Sequence, residues 1–348
     1  MRIPDVDRRA FLATLAATGA ASLAAPLAGL AQRGPARFRI DTHHHVYPPP
    51  YVAALAAAGV DDANAKAWTV ARTLDDMDRA GVATSILSVT TPATTFAEPA
   101  VARRVARESN EWVAQLIRDH PGRFGAFAMV PMPDVDGTLR EIEYALDTLK
   151  ADGIGFLTSY GDAWLGHSGY AAVMDELNRR KAIVYTHPTL ANCCRNLVPD
   201  VAPTIIEYGA DTGRTIADIV FSGTAARCRD ARFIFSHAGG VVPFVAQRFE
   251  RAPALNPRLQ SRVPDGALAE LKRFYYDTAW SAHRGALAGL SALVPASQVL
   301  FGSDYPFRTA EDHVKGVAAF GYSASDKRAI EHANAVRLIP RLATNTRP

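Results

Sequence analysis

The chain has little cysteine: three residues in 348, Cys193, Cys194 and Cys228. Two of them are adjacent and no Cys-x-x-Cys pair is present, so neither a disulfide framework nor a thiolate zinc site is built here. Buried or half-buried thiols are the expectation for such small apolar side chains. A strong charge bias is also missing. The formal net charge is +3, with 38 Lys and Arg against 35 Asp and Glu and no long block of either sign, which argues against a nucleic-acid partner. No Gly-x-Gly-x-x-Gly follows the first apolar run, so the dinucleotide fingerprint is lacking. Internal repeats are not evident. What remains is ordinary globular composition at a length suited to one large barrel or two small domains.

Residues 1–31 stand apart. Asp7-Arg8-Arg9-Ala10-Phe11-Leu12 leads into an Ala- and Leu-rich stretch ending at Gly29-Leu30-Ala31. A charged start, an apolar middle and small residues at the end describe an export signal, and the paired arginines resemble the twin-arginine type. The expectation is a signal over 1–31, a mature domain over 32–348 in the periplasm, and no membrane span once the signal is removed.

From there the pattern is strand, then helix, repeated. Runs rich in Val, Ile, Phe and Tyr lie at Phe38–Val46, Ala83–Val89, Phe124–Val130, Gly153–Ser159, Ala182–Pro188, Phe233–Gly239, Phe274–Ala279 and Val299–Tyr305. Between them, Val101, Val105, Trp112, Leu116 and Ile117 have helical spacing. Asp136 can cap a helix with the stripe Leu139, Ile142, Leu146 and Leu149. Val173 and Leu177 mark another helix, ending in Arg179-Arg180-Lys181. Eight apolar strands alternating with helices predict a (β/α)8 TIM barrel; a doubly wound sheet is the alternative. Gln247–Pro264 shows no clear period and reads as a loop over the rim.

Polar residues that can bind a metal close several of these runs. They are His43 and His45, His187, Asp304, and a further polar end, His237. Residues i and i+2 of a strand share a face, so His43 and His45 can reach one ion while His44 points away. Asp41 or Thr42 can orient a ring. Taken singly, each is explained without a metal: imidazoles serve as core hydrogen-bonding groups, and Asp304 can be a turn residue. Together, buried at strand ends, they point to a metal-dependent site, because buried imidazoles and a carboxylate need pairing or coordination.

This order, His-x-His on strand one, His on strand five, His on strand six and Asp on strand eight, resembles the amidohydrolase superfamily. The resemblance implies that His43, His45, His187 and Asp304 bind the metal and that His237 is an acid/base residue, with Asp304 also able to move a proton. Binuclear members carry a lysine at the end of strand four, and Gly153–Tyr160 has none, so one divalent ion is implied, zinc first and manganese second. That likeness extends to the mononuclear branch holding aminocarboxymuconate semialdehyde decarboxylase and the aromatic acid decarboxylases. The segments Asp41–Pro49, Ile86–Ser88, Glu141–Asp147, Asp211–Arg214 and His237–Gly240 are most similar to 6-methylsalicylate decarboxylase-type members.

The expected activity is loss of CO2 from a hydroxylated aromatic or muconate-like carboxylic acid, a carbon–carbon lyase reaction. The alternatives are a hydrolase or hydratase using a metal-activated water, and a barrel that binds a small acid without turnover. Arg214 can grip a substrate carboxylate or pair with Asp211 on its own helix. Trp68 and Tyr160 can stack on an aromatic substrate or pack the rim, and the same holds for Tyr305 and Phe307. His167, His283 and His313 fit no ligand spacing and are expected at the surface or behind the site. A homodimer is the default assembly.

Overall fold

The structure is a computed structural model, and it describes residues 36 to 344. The proposed signal over 1–31 lies outside them. Eight parallel strands form one sheet in chain order: β1 (Arg39–His45), β2 (Val82–Ser88), β3 (Phe124–Met129), β4 (Gly153–Leu157), β5 (Ile183–His187), β6 (Arg232–Phe235), β7 (Tyr275–Asp277) and β8 (Val299–Leu300). All eight expected strands are present, the last three much shorter than expected, with His237 and Asp304 lying past the ends of β6 and β8. First and last strands meet through a single parallel bridge, His44 with Tyr305, so the sheet curls into a barrel with an irregular seam.

Helices follow the expected stripes, except that Val101 in the first of them is exposed. Pro99–Asp119 starts on a proline, whose missing N–H is an unpaired donor position anyway, and buries Val105, Val113 and Leu116. The next helix, Val135–Glu143, is capped by Asp134 and not by Asp136: the Asp134 carboxylate accepts from the Gly137 N–H at 3.0 Å. Ala171–Arg179 buries Val173 and Leu177. A correction applies to Gln247–Pro264. Most of it is helical, within Val242–Leu255 and then a short 3-10 turn, Pro257–Arg262. Val242 and Phe249, seven residues and two turns apart, are its buried pair; so sparse a stripe, with Pro253 in the last turn, hid the period. Among the described residues, no helix is long and apolar enough to cross a membrane.

The core has two layers. The larger packs strands against helices. A smaller cluster takes Ile40, Ile86, Phe127, Tyr185, Ile234 and Leu300 from six different strands and joins them to Leu338, Ile339 and Leu342 near the C-terminus. Drawn from so many strands, it is the filled interior of the barrel. The Tyr185 ring lies on Phe127, with centroids 4.9 Å apart, and meets the His43 ring edge-on at 5.4 Å. This apolar layer is therefore the floor beneath the polar strand ends. The chain is held to the last strand by fully buried Asn334, whose amide donates to the carbonyls of Ala296 (2.8 Å) and Val299 (2.7 Å).

Replacing Asn334 with Ala leaves those two carbonyls without their donor and is expected to cost about 1–3 kcal/mol. Urea unfolding measures it: the midpoint falls, whereas an unchanged midpoint would contradict the role.

Candidate metal centre

The strands deliver their polar ends to one point. His43 and His45 lie on β1, the latter its last residue; His187 is the last residue of β5. His237 lies two residues past β6, and Asp304 follows β8 after Phe301-Gly302-Ser303. Gly302 lets that segment come close, since a Cβ there would sit 2.8 Å from the His43 Cβ. His237 and Asp304 both adopt left-handed backbone, with φ of 53° and 63°. Non-glycine residues hold that conformation when surrounding contacts fix it, and such strain gathers at functional sites.

The distances are short. Oδ1 of Asp304 lies 2.7 Å from Nε2 of His45, 3.0 Å from Nε2 of His43 and 3.9 Å from Nε2 of His187. Oδ2 lies 3.4 Å from Nε2 of His237. The two Nε2 atoms of His43 and His45 are 3.2 Å apart. Donor atoms of His43, His187, His237 and Asp304 all fall within 4.8 Å of one another. His45 stands beside this group, with its Nε2 close to both His43 and Asp304.

Electrostatics follow from the burial. Burial disfavours a charged His43, yet the carboxylates of Asp277 and Asp304 outweigh it and raise its pKa to about 10. Burial lowers His45, and lowers His187 well below the ordinary histidine value. Burial works against the Asp304 carboxylate too, but the charged His43 and neighbouring imidazoles hold it well below the usual range.

Nε2 of His187 and Nε2 of His237 are buried with no hydrogen-bond partner. Buried polar atoms of this kind normally have one. Imidazole nitrogens and a carboxylate oxygen converging on one point, two of the nitrogens unsatisfied, fit a divalent cation. The end of β4 offers no lysine for a second ion. It offers Thr158 and Ser159, whose hydroxyls donate to Asp211 at 2.5 and 2.8 Å, joined there by the Trp164 indole N–H at 2.7 Å.

Asp277, at the end of β7, was not singled out in the sequence. Its Oδ2 lies 2.8 Å from Nδ1 of His43, and its Oδ1 accepts from the backbone N–H of His237 (2.9 Å) and of Ala279 (3.0 Å). It thus fixes the His43 ring and the His237 backbone together. The signal was present, a polar residue ending an apolar run as at the other sites, but Asp277 had no partner in the spacing. Asp41 orients no cluster ring; it meets Nδ1 of His44 at 3.1 Å. Phe307 meets the His45 ring edge-on at 5.7 Å, and Tyr208 meets His187 at 6.3 Å, so aromatic walls stand beside the imidazoles.

Other expected site residues have partners elsewhere. Arg214 lies 3.4 Å from Glu207 and 3.9 Å from Asp211, its helical neighbour. The Tyr160 oxygen accepts from the Leu157 N–H at 2.9 Å, and its ring packs on Tyr170. Trp68 packs edge-on against Trp112. Among the described residues, no hydrogen bond or ring contact joins these three to the histidine cluster. Tyr305 stacks on His44, not on a cluster ring. His167 and His283 are exposed, while His313 is buried and accepts from the Trp280 N–H at 2.9 Å. The cysteines are free thiols; Cys194 and Cys228 are buried, but Cys193 is exposed, contrary to expectation, because it sits on a surface turn after β5.

Residues 40–341 match the family model described as Amidohydrolase. The chain belongs to that family. This amidohydrolase is 37% identical over 323 residues to the decarboxylase yanB of Aspergillus niger, covering 87% of this chain and 88% of the relative. It is 34% identical over 314 residues to the 6-methylsalicylic acid decarboxylase of Penicillium expansum, covering 87% and 97%. Its fold matches the 5-carboxyvanillate decarboxylase of Novosphingobium aromaticivorans, solved with manganese and 4-hydroxy-3-methoxy-5-nitrobenzoic acid, with a TM-score of 0.76 at 20% identity over 90% of this chain and 97% of the other.

Replacing Asp277 with Ala strips a buried counter-charge from His43 and an acceptor from two N–H groups. The expected loss is about 3–5 kcal/mol, as for other broken buried pairs. Thermal unfolding of the metal-free protein should show a clearly lower midpoint; an unchanged one would remove Asp277 from this role.

Proposed function

We propose that this amidohydrolase is a metal-dependent, non-oxidative decarboxylase of a hydroxylated aromatic carboxylic acid of the salicylate kind. The observation that carries the reading is the convergence of His43, His45, His187, His237 and Asp304 at one barrel mouth. The same donor set serves hydrolysis or hydration equally well. Relatives 37% and 34% identical over most of their length are named decarboxylases, and they favour loss of CO2. A muconate-like acid is a second substrate class for the same site, since a 2-amino-3-carboxymuconate-6-semialdehyde decarboxylase of Dictyostelium discoideum is 25% identical over 62% of this chain.

His43, His45, His187 and Asp304 would hold one divalent ion. Such an ion supplies Lewis acidity and a template for the carboxylate and its neighbouring hydroxyl. The imidazole-rich set suits zinc, while the solved relative carries manganese. Residues of the chain do the rest. The apolar floor under His43 and the flanking Phe307 and Tyr208 suit an aromatic ring. His237 is placed to donate: its backbone is fixed by Asp277 and its Nε2 faces Asp304 at 3.4 Å. In the reaction the ring carbon loses its carboxylate as CO2, and a proton from Nε2 of His237 takes the vacated position. The neutral imidazole then regains its proton from solvent, and Asp304, held as the carboxylate, stays the acceptor facing that nitrogen. Arg214, Trp68 and Tyr160 stay as proposed outer contacts. Export by the residues 1–31 signal and a homodimeric assembly complete the proposal.

The test is CO2 release from hydroxybenzoates by the purified, metal-loaded protein. A chelator should abolish it and added zinc or manganese restore it; activity that persists with all metal removed contradicts the reading. His45→Ala is expected to lose metal and turnover together. His237→Ala should keep its metal but lose turnover by roughly 10²–10⁴-fold, the usual contribution of a positioned acid. Undiminished turnover in that variant would take the proton-donor role away from His237.

A further inference from the structure

The seam between β1 and β8 is the least regular part of the barrel, and the candidate ligands sit on both sides of it. The register of β1 against β2 shifts between Asp41 and His44. Across the seam, the backbone N–H groups of Asp304 and Ser303 both donate to the carbonyl of His43, at 2.8 and 3.3 Å, and the His45 N–H donates to the Tyr305 carbonyl at 2.8 Å. These bonds do not make a ladder. One side chain adds what the ladder lacks. Oδ1 of Asp41 accepts from the backbone N–H of His43 (3.0 Å) and of Ser303 (3.1 Å). Oδ2 accepts from the Ser303 hydroxyl (2.5 Å) and from Nδ1 of His44 (3.1 Å). The Ser303 Oγ in turn accepts from the Tyr305 N–H at 3.2 Å. Asp41 and Ser303 are both fully buried.

We infer that Asp41 and Ser303 form a clamp across the barrel seam that sets the distance between the His43/His45 pair and Asp304, and so presets the metal centre. Asp41 touches no reacting group and is a positioning residue. Its carboxylate bonds to Ser303, the residue before Asp304, and to the backbone of His43. Asp304 is held in a left-handed conformation, with φ of 63°, that non-glycine residues adopt only at a cost. Bonds at both neighbours, Ser303 directly and Tyr305 through the Ser303 hydroxyl, supply that restraint. His44, the one histidine of the triplet outside the cluster, completes the device: its ring binds Asp41 and lies on Tyr305, with centroids 4.8 Å apart. The alternation of β1 thus sends His43 and His45 to the centre and His44 to the clamp.

This inference rests on the reading that the cluster holds a divalent ion, and the test separates the two. The affinity of the full chain for zinc is measured by competition with a chromophoric chelator, and the visible spectrum is recorded after loading with cobalt(II). Asp41→Asn turns one accepting oxygen into a donor facing the Ser303 hydroxyl and His44. Ser303→Ala removes the hydroxyl and keeps the backbone. Both are expected to weaken zinc binding roughly 10–100-fold and to change the cobalt spectrum, as loss of an outer-shell partner does elsewhere. Thr42→Val is the control: the Thr42 hydroxyl donates across the same seam to the Phe301 carbonyl at 3.0 Å but bonds no candidate ligand. It should lower the unfolding midpoint and leave affinity and spectrum at parent values. Parent-like affinity and spectrum in Ser303→Ala would overturn the clamp even if Asp41→Asn failed to fold. Equal loss in Thr42→Val would also overturn it, because general loosening of the seam would then suffice. A parent protein that binds neither ion overturns both this inference and the reading beneath it.

Discussion

The structure depends on what it costs to hide charge and unsatisfied nitrogen at the top of an apolar barrel. Asp304 is buried, His43, His45 and His187 are buried, and two Nε2 atoms face the centre with nothing to bond. Burying such groups is unfavourable unless something balances them. The pairing of His43 with Asp277 on one side and Asp304 on the other partly does so. A divalent cation does it better, since one ion satisfies several nitrogens and the carboxylate at once. The arrangement is costly by itself and makes sense as the frame of a site.

The rest of the fold serves that frame. Ile40, Ile86, Phe127, Tyr185, Ile234 and Leu300 fill the interior beneath it and keep the floor dry. Short strands at β6 and β8 let His237 and Asp304 leave the ladder, while Asp277 closes β7 from within it. The left-handed residues there follow from this, because a chain that must reverse within a few residues of a strand end uses backbone that regular elements avoid. Past the end of β4, Asp211 draws Thr158, Ser159 and Trp164 together and anchors the helix that carries Arg214.

Much of this was legible in the chain. Eight apolar runs of strand length, separated by helical stripes, predict the barrel, and polar residues closing several of them locate its functional mouth. His43, His45, His187, His237 and Asp304 all reach it. Legibility fails where a partner is distant or a period is masked. Asp277 bonds His43 across 234 residues, and no local pattern marks such a pair. Gln247–Pro264 is helical although Pro253 and a sparse buried stripe conceal it. Arg214, Trp68 and Tyr160 were chosen for chemical type, and type alone does not say whether a guanidinium meets a ligand or Glu207.

The most direct measurement is X-ray diffraction from crystals of the purified protein, with data collected on either side of the absorption edge of the bound element. The account predicts one anomalous peak, within coordination distance of His43, His45, His187 and Asp304. A peak elsewhere, two peaks, or none after incubation with zinc and manganese would contradict it.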